Sequence, residues 1–448
     1  MKSYDLIVIG GGSAGLAVAG RVKDAGRSVL VVEARDFGGT CPLRGCVPKK
    51  VLVAAAETLH HIAAAGAHGI EVGPPRVDWP KLIARKETFV EGVPESFERG
   101  LVKRGVEVVY GRAKFAGPHE IEVDGERYRG AKFVISTGSK PRRLPIPGFD
   151  HTITSEDLLE MPALPASLIF IGAGVIAMEF THVLARAGTK VTLVEIAPRP
   201  LPMLDADLVE ALVEETRRLG VDVYTAAETR SIEKEGETCV VTFVHEGRTK
   251  TLRAERVANG AGRGAAVDDL GLDAAGIAHE RGAITVDAYL RSVSNPDVFV
   301  AGDTLAGRPQ LSPVAGYEGK IVAHNLLNDA LKAPDYTSIP QVVFTVPALA
   351  SVGMDERAAE AQGLAFDVKV NDMRTWRSAR TYAETAALAK VLVERGTGRI
   401  LGAKLLGHGA QEVIHTFAFA LKYGIHADEL KDFVYAYPTF TSDVKYLV

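Results

Sequence analysis

The chain has 448 residues, 47% of them apolar and 24% charged, with a formal net charge of -4. That length exceeds one ordinary core and points to two to four domains of a soluble globular protein. So small a net charge gives no reason to expect nucleic acid or an anionic membrane as a partner. Three cysteines, Cys41, Cys46 and Cys239, are too few for a structural disulfide framework. The start, Met1 to Tyr4, carries no long apolar leader, and the longest apolar stretch, near Leu168 to Phe180, is short and broken by glycines. A cytoplasmic enzyme without a membrane span is therefore the expectation.

The first predicted element is an apolar strand, Asp5 to Ile9, followed at once by Gly10-Gly11-Gly12-Ser13-Ala14-Gly15. A helical pattern runs from Leu16 to about Ala25, and a second strand, Ser28 to Val32, ends in Glu33. In this arrangement Gly10 permits a tight turn, Gly12 lets backbone approach a pyrophosphate, and Gly15 lets helix pack on strand. The helix N-terminus supplies unpaired N–H groups for phosphate, and Glu33 accepts hydrogen bonds from an adenosine ribose.

Next comes Gly38-Gly39-Thr40-Cys41-Pro42-Leu43-Arg44-Gly45-Cys46-Val47-Pro48-Lys49-Lys50. A metal site would want further Cys or His ligands at suitable spacing, and none is near; His60 and His61 fall on the following helical stretch. Cysteines five apart on a regular helix sit too far apart to bridge. Pro42 and Gly45 are expected to bend the backbone for a reducible, redox-active disulfide.

The glycine unit then recurs. Ser167 to Ile171 is a strand, Gly172-Ala173-Gly174-Val175-Ile176-Ala177 the turn, a helix continues to about Ala187, and the strand Lys190 to Val194 ends in Glu195. The spacing of 23 positions from Gly10 to Glu33 repeats from Gly172 to Glu195. Two such sites suit an enzyme that passes electrons between a nicotinamide and a flavin. The carboxylate of Glu195 favours a free ribose hydroxyl over a 2′-phosphate, and so NADH over NADPH, with Arg199 close by in sequence. Cys239 lies in a strand-like run, Thr238 to Val244. The last stretch mixes strands such as Gln341 to Thr345 with helices such as Gln411 to Tyr423, whose Val413, Phe417, Ala420 and Leu421 have core or interface spacing.

Gly-Gly-Thr-Cys with a second cysteine five positions on, then Pro-Lys-Lys, resembles the flavoprotein disulfide reductases, among them glutathione reductase, dihydrolipoamide dehydrogenase and mercuric reductase. The resemblance spans nearly the whole chain. Ser136-Thr137-Gly138-Ser139 with Pro141 is similar to the end of that family's first FAD segment. Val298 to Asp303 is similar to the second flavin segment, whose aspartate holds the ribityl chain, and Leu311 to Ala315 to the helix start facing the flavin pyrimidine edge.

The implied fold is α/β: two Rossmann-like dinucleotide-binding domains, for FAD and NAD, plus an α+β C-terminal dimerisation domain, assembled as a homodimer. The FAD domain would comprise residues 1–147 and 268–333, the nicotinamide domain 148–267 and the dimerisation domain 334–448. The implied cofactor contacts are Gly10, Gly12, Ser13, Ala14, Gly15, Glu33, Gly39, Thr40, Cys41, Lys50, Ala113, Thr137, Gly138, Gly172, Gly174, Val175, Ile176, Glu195, Gly262, Gly302, Asp303, Leu311 and Ala315. Carried over, Cys46 is the thiolate beside the flavin and Cys41 the interchange thiol that attacks substrate. Lys49 or Lys50 pairs with Glu179 where hydride arrives.

The sequence departs from the family near its end. A His-Pro-Thr segment with a glutamate five residues after the histidine supplies the partner subunit's acid–base. Here the chain reads Tyr437-Pro438-Thr439-Phe440-Thr441-Ser442-Asp443. A tyrosine of ordinary pKa near about 10 donates a hydrogen bond but is a poor base at neutral pH, and a positioned acid–base is worth about 10²–10⁴ in rate. Asp443 is a candidate replacement. Gly20 and Phe97 stand where glutathione reductases carry arginine and tyrosine, Val175 where many relatives have an aromatic gate, and Leu43 where asparagine is usual. Gly262-Arg263 lacks the Pro-Asn that follows in the family. The tail has no extra cysteine pair, unlike mercuric reductase.

Three readings stand. The first is an NADH-dependent reductase of a small disulfide or related sulfur substrate. The second is a reductive thioether cleavage or carboxylation enzyme of the ketopropyl-coenzyme M carboxylase type. The third is a flavin- and nucleotide-binding sensor without turnover. The first is preferred.

Overall fold

The computed structural model describes residues 1–448. They form two compact units, one of Met1–Lys49, Ala84–Arg142 and Arg263–Asp335, the other of Lys50–Ile83, Arg143–Gly262 and Tyr336–Val448.

In the first unit four parallel strands lie in the order Glu107–Tyr110, Val29–Glu33, Lys2–Ile9, Glu126–Ile135. The short strand Val298–Val300 also pairs parallel to Glu126–Ile135, while Glu120–Val123 and Ala113–Gly117 extend that side as an antiparallel meander. Leu6 to Ile9, Val29 to Val32, Phe133 to Ile135 and Val298 to Val300 are all buried. Such continuous apolar runs are what a parallel strand covered on both faces requires. The helices Ser13–Asp24 and Ser312–Leu327 approach backbone to backbone: a Cβ added at Gly319 would stand 2.6 Å from the Ala14 carbonyl oxygen.

The second unit holds a parallel sheet in the order Asp222–Tyr224, Lys190–Val194, Ser167–Ile171, Arg256–Asn259, with the helix Val175–Ala187 following its glycine turn. A three-stranded antiparallel sheet, Glu228–Glu235, Thr238–His245 and Arg248–Ala254, accompanies it, with Cys239 buried in the middle strand. A five-stranded antiparallel sheet runs Gln341–Val343, Ala348–Gly353, Ile400–Gly407, Leu388–Glu394, Phe366–Asp372. The helix Ala410–Tyr423 lays Val413, Ile414 and Phe417 on that sheet. Both strand–turn–helix–strand units form as expected, and the C-terminal segment is the expected mixture of sheet and helix. No helix is long and apolar enough to cross a membrane.

Candidate active site

The two glycine turns are built alike. Gly10 has φ +106 and Gly172 φ +91, a region closed to most side chains, and added Cβ atoms would meet Ser136 O at 2.3 Å and Gly260 backbone at 2.7 Å. Gly12, by contrast, opens onto space, with only Gly39 Cα at 3.8 Å, which leaves a cradle beside Ser13, Ala14 and Gly15 for a diphosphate. Each terminal carboxylate closes its own turn. Glu33 accepts from the Gly11 and Arg35 amides at 2.7 and 2.8 Å, and Glu195 from the Ala173 and Ala197 amides at 2.6 and 2.7 Å. Gly174 and Ile176 start the second helix with Val175, which is 44% exposed and leaves that position without an aromatic side chain. Arg199 spends a guanidinium N–H on the Leu201 carbonyl at 3.3 Å.

The cysteine segment folds as two helical pieces, Thr40–Arg44 and Cys46–Ala63. Gly39 (φ 71) caps the first, and Gly45 (φ -143, ψ -114) breaks the chain between them. The expected bend therefore comes from Gly45 alone; Pro42 sits in the first turn of a helix, where its missing N–H costs nothing. Cys41 and Cys46 are both thiols here. The Cys46 thiol donates to the Cys41 sulfur, and the Ser312 hydroxyl, the Cys46 amide and the Lys49 charge act in the same direction. Against the opposing cost of burial they bring Cys41 from 9.0 down to about 6. The lowered pKa belongs to the two sulfurs together, and the family resemblance implies the resting thiolate at Cys46.

Also in the first unit, Thr137 Oγ1 is buried without a hydrogen-bond partner, while the Gly138 amide donates to Thr304 Oγ1 at 2.9 Å. Ser139 donates to Asp303 at 3.0 Å and accepts from Arg263 Nε at 2.8 Å. Burial pushes the Asp303 carboxyl up, opposed by Ser139 and by the Arg263 charge. The Gly302 amide donates to Glu318, a buried carboxylate with no sequence motif to announce it, at 2.7 Å. Leu311 caps the helix Ser312–Leu327 and accepts from the Ala315 amide at 2.9 Å; Ser312 Oγ lies 3.0 Å from Ser13 Oγ. Ala113 is buried at the start of its strand, and Gly262 takes φ +92. An orphaned hydroxyl, an open glycine cradle and a buried carboxylate fit an extended dinucleotide that carries its own donors and phosphates.

In the second unit Glu179 is 1% exposed and accepts the Phe344 amide at 2.8 Å. Lys50 lies 4.6 Å over the Phe344 ring and 3.1 Å from Glu57. Phe344 thus links the two groups expected near the hydride, and sequence reasoning missed it because 165 residues separate it from Glu179. The Lys49 charge also acts on Cys41.

At the C-terminal end Tyr437 is 61% exposed, with the Arg377 guanidinium 5.9 Å from its ring centroid. Ser442 is buried, its hydroxyl spent on the Thr439 carbonyl at 2.6 Å. Asp443 accepts from Ser378, and burial pushes its carboxyl up. Neither replaces the expected glutamate by facing Tyr437 with a ready base.

Residues 4–319 match the model of the pyridine nucleotide-disulphide oxidoreductases, and residues 339–448 match that family's dimerisation domain. The chain belongs to this family. Among this oxidoreductase's relatives, mercuric reductase of Streptomyces lividans is 35% identical, with 98% of this chain and 97% of that protein covered. Dihydrolipoyl dehydrogenase of Thermus scotoductus is 34% identical over 98% of this chain and 96% of its own length. Among solved structures, the Cu(II) complex of the HOCl-induced flavoprotein disulfide reductase RclA from Escherichia coli superposes with a TM-score of 0.89. It shares 28% identity, with 100% and 99% of the two chains covered. The oxidoreductase is thus an enzyme of a flavoprotein family whose named relatives act on different substrates.

Proposed function

We propose that this oxidoreductase carries electrons from NADH, through FAD, into the Cys41–Cys46 pair and on to a small disulfide or related sulfur substrate. The observation that carries the reading is the Cys41 sulfur held as a thiolate by Cys46, Ser312 and Lys49. Bound FAD would accept hydride from the nicotinamide and return the electron pair to the cysteines. The residues that the resemblance implies would hold it: the cradle at Gly12, the Glu33 carboxylate, Thr137, and Asp303 braced by Ser139 and Arg263. Lys49 or Lys50 serves at the hydride position together with Glu179; Lys50 lies over the ring of Phe344, whose amide Glu179 accepts.

Chemically, the Cys41 thiolate attacks one sulfur of the substrate disulfide, breaking that S–S bond and releasing the first thiolate. Cys46 then attacks the mixed disulfide, releasing the second thiolate and restoring the Cys41–Cys46 disulfide. A thiolate preformed at about 6 needs no base to generate it, which accommodates the loss of the family's histidine. The Tyr437 hydroxyl, from the partner subunit of a homodimer, donates a hydrogen bond to the leaving thiolate. Glu195, clamped by two amides, receives the ribose of NADH, and Arg199 is turned back on the Leu201 carbonyl. The domain boundaries follow the same reading, at 147/148, 267/268 and 333/334.

A second reading is favoured by the relatives: two thiols with Cys46 exposed also suit a soft metal ion as the substrate. The Cys41 sulfur, with Cys46 beside it as the thiol that resolves a mixed disulfide, keeps the sulfur substrate first. The test is a pair of variants. Cys41→Ser should keep reduction of the bound flavin by NADH and lose disulfide turnover by at least about 10³, the scale of removing an essential nucleophile. Full disulfide turnover in Cys41→Ser would sink the reading, and turnover of a metal salt alone would establish the second.

A further inference from the structure

Within the second unit, the two segments that present Arg377 and Tyr437 are joined at several points. Ser378 donates to Asp443. Tyr382, Phe440 and His408 pack as a triangle of rings, with centroids 4.8, 4.9 and 5.4 Å apart. His408 Nδ1 lies 3.2 Å from Glu384, whose side chain is 1% exposed, and the second oxygen of that carboxylate lies 3.2 Å from His60 Nε2. A carboxylate so buried is tolerable only when paired; against its own burial, His408 and His60 hold it down to about 2. His408 lies between Glu384 and the rings of Tyr382 and Phe440, and these lie five residues from Arg377 and three from Tyr437.

The charge at this point is uncompensated. Arg374 is spent on Asp372 at 2.6 Å. Asp443 is turned onto Ser378 and pushed toward neutrality by burial. Arg377 is exposed and has no carboxylate within ion-pair reach, only the face of Tyr437.

We propose that Arg377 and Tyr437 form an anion-recognition pair, selecting a sulfur substrate that carries a carboxylate or similar anionic group. This rests on the reading that the Tyr437 segment meets the substrate. A guanidinium over a ring keeps its N–H edge for a two-pronged contact with a carboxylate, while the Tyr437 ring beneath it sets the plane and the phenol O–H stays with the leaving thiolate. Because the segments that carry both side chains are tied together by Ser378–Asp443 and the ring triangle, little backbone freedom is lost on binding.

The experiment uses the FAD-loaded dimer, NADH and two disulfides matched in size: 3,3′-dithiodipropionate, an anion, and bis(2-hydroxyethyl) disulfide, which is neutral. In Arg377→Met the ratio of kcat/KM for the anionic over the neutral probe should fall at least about tenfold, mostly through KM, the scale of one charged hydrogen-bonded contact. Arg377→Lys should recover part of the ratio. An unchanged ratio in Arg377→Met, or equal losses on both probes, overturns the proposal. Calorimetric binding of 3,3′-dithiodipropionate is measured in parallel and needs no turnover. If the wild type reduces neither probe, the disulfide reading fails by itself. Binding that Arg377→Met then abolishes sustains the anion site, and equal binding to both proteins overturns it.

Discussion

The sulfur of Cys41 gathers its donors from three places in the sequence: Cys46 five residues on, Lys49 a turn further along the same helix, and Ser312 from a distant helix start. Its thiolate persists as pH falls until about 6, and the charged form is lost below that. Alkylation of Cys41 in the reduced protein should therefore show a midpoint near about 6. Ser312→Ala removes one hydrogen bond to a charged sulfur, worth about 1.5–3 kcal/mol. The midpoint should then rise by about one to two pH units, since one unit corresponds to about 1.4 kcal/mol; rates measured from pH 4 to 10 check this. Glu195 carries a separate prediction. Replacing it by alanine removes both the ribose acceptor and the tie between Ala173 and Ala197, so the preference for NADH over NADPH should shrink by at least about tenfold. A ratio of kcat/KM that stays put would mean that Glu195 closes the turn and does nothing more.

At the scale of elements, the two glycine turns are separate devices with separate failures. Gly10→Ala forces a Cβ at φ +106 to within 2.3 Å of Ser136 O, and Gly172→Ala at φ +91 brings one to 2.7 Å from the Gly260 backbone. Strain of this sort costs about 1–3 kcal/mol before the clash is counted. Gly10→Ala should purify without flavin absorbance, whereas Gly172→Ala should remain yellow but resist reduction by NADH.

These turns were legible because every part of them lies within about two dozen residues: strand, glycines, helix and closing acid. The cysteine pair was legible for the same reason. Even there the bend comes from Gly45 and not from Pro42, since proline in a first helical turn leaves the backbone straight. What escaped the sequence is what tertiary contact assembles. Phe344 beneath Lys50 and behind Glu179, Ser312 beside Cys41, Glu318 under the Gly302 turn, and Glu384 between His60 and His408 lie far apart in the chain. No local period or motif marks any of them. The choice between Lys49 and Lys50 was likewise closed to spacing, because adjacent helical residues differ only in the direction they face.

For the whole molecule, stability in acid follows from its buried charges. The Glu384 carboxylate is held down to about 2, below the range of an exposed glutamate. It therefore contributes stability that is present above about 4.5 and is lost as pH falls toward 2. Glu384→Gln should flatten the fall in Tm over that window; an unaltered acid limb would show that other carboxylates govern it. Lys390 offers the complementary case, ringed by Asp205, Asp207 and Glu356 at 2.8, 2.6 and 3.0 Å. Lys390→Met leaves the buried Asp205 without its cation and should cost about 3–5 kcal/mol in chemical unfolding.

The central claim is that nicotinamide, flavin and cysteine pair form one electron path, and it is tested most directly by anaerobic titration of the FAD-loaded protein with NADH, followed by visible absorbance. The account predicts that the first equivalents of NADH produce a long-wavelength band from a cysteine thiolate in contact with flavin, at lower concentration than NADPH does, and that the band is absent in Cys46→Ser. Bleaching of the flavin with no such band in the wild type would contradict it, for the cysteines would then lie outside the path.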